Sequence, residues 1–202
     1  MIEMNKRIVV IGSGNVATHL ALALCKKGYD ILQVYSRQLA NAETLANRVG
    51  GVAVDSIADI VDNADFYFIS VKDDAIADIV SSLKIQNPDA VVAHTAGSVA
   101  LSVLSSKVAH SAVFYPMQTF TKSRELDFSV IPCFIEASDA ETFSKIKVVA
   151  ESISNRVVEA DSTRRKTMHL AAVFACNMVN HCYHLAERFL PTTILISLCF
   201  IL

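Results

Sequence analysis

The sequence has no clustered basic block. Its 18 Lys and Arg and 20 Asp and Glu are interspersed, for a net charge of -2. Phosphate backbones are bound by grouped cations, so nucleic acid is excluded as a partner. No Cys-x-x-Cys pair occurs, and the cysteines number five: Cys25, Cys133, Cys176, Cys182 and Cys199. An odd, unpaired set excludes a disulfide framework and a zinc site, and fits reduced, mostly buried thiols in a cytoplasmic protein. The apolar stretch at 8–11 is too short for a signal-peptide core. The final run, 194–202, falls well below the ~20 residues that span a bilayer, so no membrane partner is expected. Repeats and low-complexity linkers are missing, and without a Gly-x-Ser-x-Gly elbow a serine hydrolase is excluded.

What is present is 52% apolar residues, a fraction high enough to call for a second subunit or a further piece of chain against part of the surface. Strand-like runs at 7–11, 31–35, 52–54, 66–71, 90–93, 112–115, 133–136 and 157–159 alternate with helical stretches at 15–27, 39–49, 57–61, 73–83 and 140–153. Continuous rather than alternating apolar strands, separated by helices, predict an α/β fold with a mostly parallel sheet covered on both faces. From Thr163 the pattern becomes one long helical segment to about Phe189, broken by Pro191. The expected organisation is a doubly wound, Rossmann-type domain over 1–160, followed by the start of an all-helical domain over 161–202.

Between the first strand and the first helix stands Gly12-Ser13-Gly14-Asn15-Val16-Ala17. In that context the Gly-x-Gly-x-x-Ala spacing is a dinucleotide loop. Gly12 permits the tight turn, Gly14 lets backbone approach a pyrophosphate, and Ala17 allows close helix–strand packing. The helix N-terminus adds free N–H groups and the positive end of its dipole. At the end of the second strand, where NAD enzymes carry an acid for the ribose hydroxyls, the chain reads Tyr35-Ser36-Arg37. A Ser hydroxyl and a guanidinium suit a 2′-phosphate, whereas an acid would repel it; the cofactor expected is NADP(H). The missing acid also counts against an S-adenosylmethionine methyltransferase. The alternative for Arg37 is a solvated surface charge.

Ligands of open α/β sheets lie outside the carboxyl ends of the strands. Those ends carry Ser70-Val71-Lys72-Asp73-Asp74, His94-Thr95-Ala96-Gly97-Ser98 and Tyr115-Pro116-Met117-Gln118-Thr119-Phe120. His94 reads equally well as a ribose or substrate ligand and as a loop histidine with a structural bond. Together with the glycine loop and Tyr-Ser-Arg, these segments resemble, over 7–189, bacterial Rossmann-like proteins labelled NADP oxidoreductases that carry a helical C-terminal domain of unknown function. That family is similar to deazaflavin-dependent NADP reductases and to pyrroline-5-carboxylate reductase. The resemblance implies NADP contacts from Gly12, Ser13, Gly14, Asn15, Val16, Ser36 and Arg37. It implies Val71 and Lys72 beside the cofactor, and His94, Thr95 and Gly97 near its nicotinamide end. It also implies a homodimer through C-terminal helices that help close the active site. Residues 190–202, Leu-Pro-Thr-Thr and then an uncharged run, depart from the family pattern, so a truncated or frame-shifted end is expected.

At ~100° per residue, Lys166, His169, Asn177, Asn180, His181 and His184 fall in one arc of the long helix, opposite Ala, Val, Phe, Cys, Met and Tyr. Such a broad apolar arc predicts a mostly buried helix, with its polar stripe facing a cleft or solvent. If it faces the cofactor, Lys166, His169 and Asn177 are the proton donors or substrate ligands, with Gln118. His181 and His184 lack an accompanying carboxylate, so no metal is expected. The reading is an NADP-dependent oxidoreductase moving hydride between the nicotinamide and a small carbonyl, imine or deazaflavin; the alternative is a non-catalytic NADP-binding or sensing protein.

Overall fold

Strand β1 (Arg7–Ile11) is buried along nearly its whole length because its residues alternate between two covered faces. Ile8 and Val10 join one apolar cluster, with Leu20 and Leu24, while Val9 and Ile11 join another on the opposite face, with Tyr67 and Ile76. The computed structural model describes residues 6–189. After β1 come α1 (Asn15–Lys26), β2 (Asp30–Tyr35), α2 (Leu39–Val49), β3 (Val52–Val54), β4 (Phe66–Ile69), α3 (Ile76–Ser82), β5 (Val91–His94), α4 (Ser102–Ser105), β6 (Ser111–Pro116), β7 (Cys133–Ala137), α5 (Ala140–Ile153) and β8 (Val157–Glu159).

The sheet order is β3-β2-β1-β4-β5-β6-β7-β8. All pairings are parallel except β6 with β7. This is a doubly wound Rossmann-type sheet. The order reverses beside β1, so the β1 and β4 carboxyl ends flank the crevice where such folds take ligands. Local chemistry places the ends of the helices. Gly50, at φ 78°, closes α2, and both its N–H and that of Gly51 return to the Ala46 carbonyl. Asp139 caps α5 by accepting the Thr142 hydroxyl at 2.6 Å and the Thr142 N–H at 2.8 Å, and with the Ser138 hydroxyl these bonds hold its carboxyl well below the usual range.

Several boundaries differ from the sequence expectation. β4 stops at Ile69, and β5 ends on His94, because Ile69 and His94 pair in register across the two strands. His94 is therefore a strand residue, not a loop residue. The 73–83 helix is a 3-10 turn over Asp73–Ala75 followed by α3.

The chain divides into two compact units after Lys166. Helix α6 (Ser162–Ala172) leads through a π-helical turn, Val173–Met178, into α7 (Val179–Phe189). The expectation of a mostly buried helix is corrected here: Leu170, Phe174, Met178, Tyr183 and Phe189 are exposed, Phe174 by 61%. The polar stripe is also split. One extra residue in a π turn sets the downstream residues back by ~100° of helix phase, so Asn180 and His184 leave the arc of Lys166 and His169, while Asn177 lies within the turn itself. The expectation of mostly buried thiols is corrected as well: Cys133 is buried and Cys25 half-buried, but Cys176 and Cys182 are exposed. Residues 190–202, on which the expectation of an altered end rests, lie outside the described residues, as does Cys199. No described helix is long and apolar enough to cross a membrane.

Candidate cofactor site

The two glycines of the loop do different work. Gly12 sits at φ 126°, donates its N–H to the Tyr35 carbonyl at 2.8 Å, and passes so close under β4 that a Cβ would stand 2.1 Å from the Ser70 carbonyl oxygen. Gly14 has an ordinary φ of -73°, and a Cβ built on it meets nothing within 4 Å. Glycine at 12 is thus required by the protein's own backbone. At 14 the space beside Cα lies open at the start of α1.

Helix α1 has no acidic residue in its first turn and no side-chain cap on its leading N–H groups. The positive end of its dipole is therefore not neutralised by the chain. Ala17 is fully buried, and Thr18 folds its hydroxyl back to the Gly14 carbonyl at 2.8 Å. Asn15 is exposed and Val16 half-buried at the same helix start. The second turn is tied to the first: the Ser13 hydroxyl donates to that of Ser36 at 3.0 Å. Arg37 follows, exposed, and no described acidic side chain pairs with it. Anion-binding groups from two adjacent turns thus share one edge of the sheet, and the donor set fits a phosphorylated dinucleotide.

The ends of β4 and β5 adjoin this edge. The Ser70 N–H donates to Ile11 at 2.7 Å, and its hydroxyl accepts from Thr95 Oγ1 at 3.0 Å. Val71 is half-buried beside Gly12 and Lys72 is exposed. Thr95 and Gly97 are buried. His94 is fully buried, and its Nδ1 accepts the Ala96 N–H at 3.2 Å. Burial, and then the nearby Arg165 charge, push its pKa from 6.5 down to about 4, so the ring is neutral at pH 7.

Of the catalytic candidates, Gln118 and Lys166 are exposed in the first unit. Gln118 Oε1 accepts the Thr119 N–H at 2.8 Å. His169, half-buried, and Asn177, exposed, belong to the second. His184 Nδ1 lies 3.9 Å from Glu187 on the surface, and no group of three or more metal-ligating side chains converges among the described residues.

One cluster escaped the sequence reading. Arg165 is 1% exposed, pairs with Glu136 through Nη1, and gives Nη2 to the Val99 carbonyl. The Ser162 hydroxyl donates to Glu136 at 2.8 Å and accepts the Leu101 N–H at 3.1 Å. Nothing in a run of three cations at 164–166 signals that the middle one is buried.

With this geometry in hand, comparison with known proteins gives a class. Residues 7–97 match the family described as "NADP oxidoreductase coenzyme F420-dependent", and residues 131–195 match a domain of unknown function, DUF2520. The "putative NADP oxidoreductase" of Bacteroides fragilis is 44% identical, with a TM-score of 0.90, over 97% of this chain and 78% of that one. The chain belongs to this family of Rossmann-type NADP oxidoreductases with a DUF2520 C-terminal domain, and NADP(H) is its cofactor. A Thermotoga maritima protein (23% identity, 96% of this chain and 76% of that one, TM-score 0.74) shares the fold. So does the 1-pyrroline-5-carboxylate reductase of Streptococcus pyogenes (11% identity, 98% and 76%, TM-score 0.71). No curated protein matches significantly.

Proposed function

We propose that this chain catalyses NADP(H)-dependent hydride transfer to or from a small carbonyl, imine or deazaflavin substrate, in the cytoplasm and as a homodimer. The observation that carries the reading is the open approach at Gly14, over an uncapped helix N-terminus and beside Ser36 and Arg37 with no competing acid. Gly12, Ser13, Gly14, Asn15 and Val16 hold the pyrophosphate through backbone N–H groups. Ser36 and Arg37 hold the 2′-phosphate. Val71 and Lys72 flank the cofactor, and His94, Thr95 and Gly97 shape its nicotinamide end, His94 from within the sheet.

Bound NADPH supplies the hydride. The product then needs a proton, for which Lys166 and His169 are the donors of suitable chemistry, with Asn177 and Gln118 orienting substrate. The exposed apolar face of α6 and α7 supports a subunit interface. The boundary of the cofactor domain is proposed near residue 160, where β8 gives way to α6.

The test is a side-by-side titration of the purified chain with NADPH and NADH, repeated on Arg37→Ala. Tight NADPH and weak NADH binding are expected. The variant should lose about 1–3 kcal/mol of NADPH binding, the worth of charged hydrogen bonds, with NADH nearly unchanged. Equal losses for both would refute the role of Arg37, and no binding of either would refute the cofactor site.

A further inference from the structure

The turn from Thr95 to Leu101, joining β5 to α4, is held from two sides. On the β4 side, Thr95 Oγ1 bonds Ser70 and the Ser98 hydroxyl bonds Asp73. On the other, Arg165 Nη2 holds the Val99 carbonyl and Ser162 Oγ accepts the Leu101 N–H. Arg165 is itself fixed by Glu136 on β7, whose side chain is largely buried, and by a 3.3 Å bond to Ser162.

We infer that Arg165 is a positioning residue for the nicotinamide end of the cofactor, setting the 95–101 turn through the Val99 carbonyl while Glu136 sets Arg165. The inference rests on the cofactor reading above, which puts that end of the dinucleotide beside this turn. Stability alone is a poor reason for a buried ion pair, because desolvating both charges offsets most of their attraction, and a well-packed apolar side chain does as well. What an apolar replacement lacks is the fork. Two nitrogens of one planar group face a carboxylate and a backbone carbonyl at once, fixing the distance between β7 and the turn. Burial, and then the Arg165 charge, disfavour protonation of His94, which leaves Nδ1 free to accept the Ala96 N–H at the start of the same turn.

A structural strut would affect the whole site, whereas a positioning residue affects one end of the ligand, and calorimetric titration with two ligands separates them. NADPH carries the nicotinamide; 2′,5′-ADP carries the adenine and the 2′-phosphate without it. Arg165→Lys keeps a cation for Glu136 but cannot span both partners. Ser162→Ala removes the Leu101 acceptor at the far end of the turn, with one atom lost and little risk to folding. Arg165→Lys should raise the NADPH Kd about tenfold, as expected for a lost charged hydrogen bond, and Ser162→Ala by a smaller factor. The 2′,5′-ADP Kd should stay within about twofold of wild type, because no bond at its end of the site changes. Equal weakening of both ligands, or no weakening of NADPH in either variant, overturns the inference and leaves the cofactor reading standing. A wild-type chain that binds neither ligand overturns both. If Arg165→Lys does not fold, the split in Ser162→Ala decides.

Discussion

Alanine at the two loop glycines should produce opposite phenotypes. At Gly12 the new methyl would stand 2.1 Å from the Ser70 carbonyl oxygen and 2.8 Å from its carbon. Ser70 cannot retreat cheaply, because its N–H is bonded to Ile11 and its hydroxyl to Thr95. The φ of 126° adds a conformational penalty of about 1–2 kcal/mol for any L side chain. Loss of one strand-end hydrogen bond adds about 1 kcal/mol. Gly12→Ala should therefore cost roughly 3 kcal/mol, which for a chain of this size lowers Tm by about 6–12 °C. At Gly14 the backbone is already in an allowed region and the added methyl touches nothing, so stability should stay within about 0.5 kcal/mol of wild type. That methyl would stand where the pyrophosphate must approach α1, and losing even one charged hydrogen bond there weakens NADPH binding about 10- to 100-fold. Thermal melts and NADPH titrations on the same two variants measure both. A Gly14→Ala chain that melts and binds as wild type would refute the loop as the pyrophosphate site. A Gly12→Ala chain as stable as wild type would refute the steric argument.

The same structure sets two further outcomes. Because burial, then Arg165, hold His94 near pKa 4 against 6.5 when unfolded, the unfolded chain binds more protons between those values. Its contribution is fully present above about pH 6.5 and disappears as pH falls towards 4; denaturant unfolding at pH 7 and pH 4.5 should show wild type losing about 2 kcal/mol more than His94→Gln. Identical pH dependence in the two would mean that His94 titrates normally. Phe174, 61% exposed on the apolar arc, is the residue whose change to Asp should convert a sedimenting dimer to monomer; a wild-type monomer at the same concentration would remove the subunit interface from the proposal.

How much of this was legible depended on how local the governing constraint is. β1 was readable because a strand covered on both faces appears as an unbroken apolar run. The end of α2 was readable because a left-handed residue after a helix is usually glycine, and Gly50 is one. The glycine loop was readable for the same reason: strand, turn and helix start are contiguous in sequence. The last residue of β5 was not. Its end is fixed by pairing with Ile69 and Val113, from segments far away in sequence, and that pairing moves His94 from loop to strand and into the core. The phase of the long helix was not either, since a uniform 100° step has no means of registering the π turn at Val173–Met178.

Arg165 shows why the harder part of a site is carried by residues that no motif contains. Arg164 and Lys166 are exposed, and by composition alone the residue between them belongs with them at a solvated helix start. It is buried because Glu136, 29 positions earlier, and Val99, 66 positions earlier, supply an anion and a carbonyl at the spacing of a guanidinium fork. Without both, a buried cation would cost several kcal/mol and the side chain would turn outward. Its position is therefore a property of three segments at once, and it exists only after β5, β7 and the start of α6 have been brought together. The phosphate loop can be recognised in any chain that carries it, because it constrains only itself. In the site proposed here the nicotinamide end of the same cofactor meets a turn whose conformation is set from elsewhere, which is why the cofactor class is readable from the first forty residues and the substrate is not.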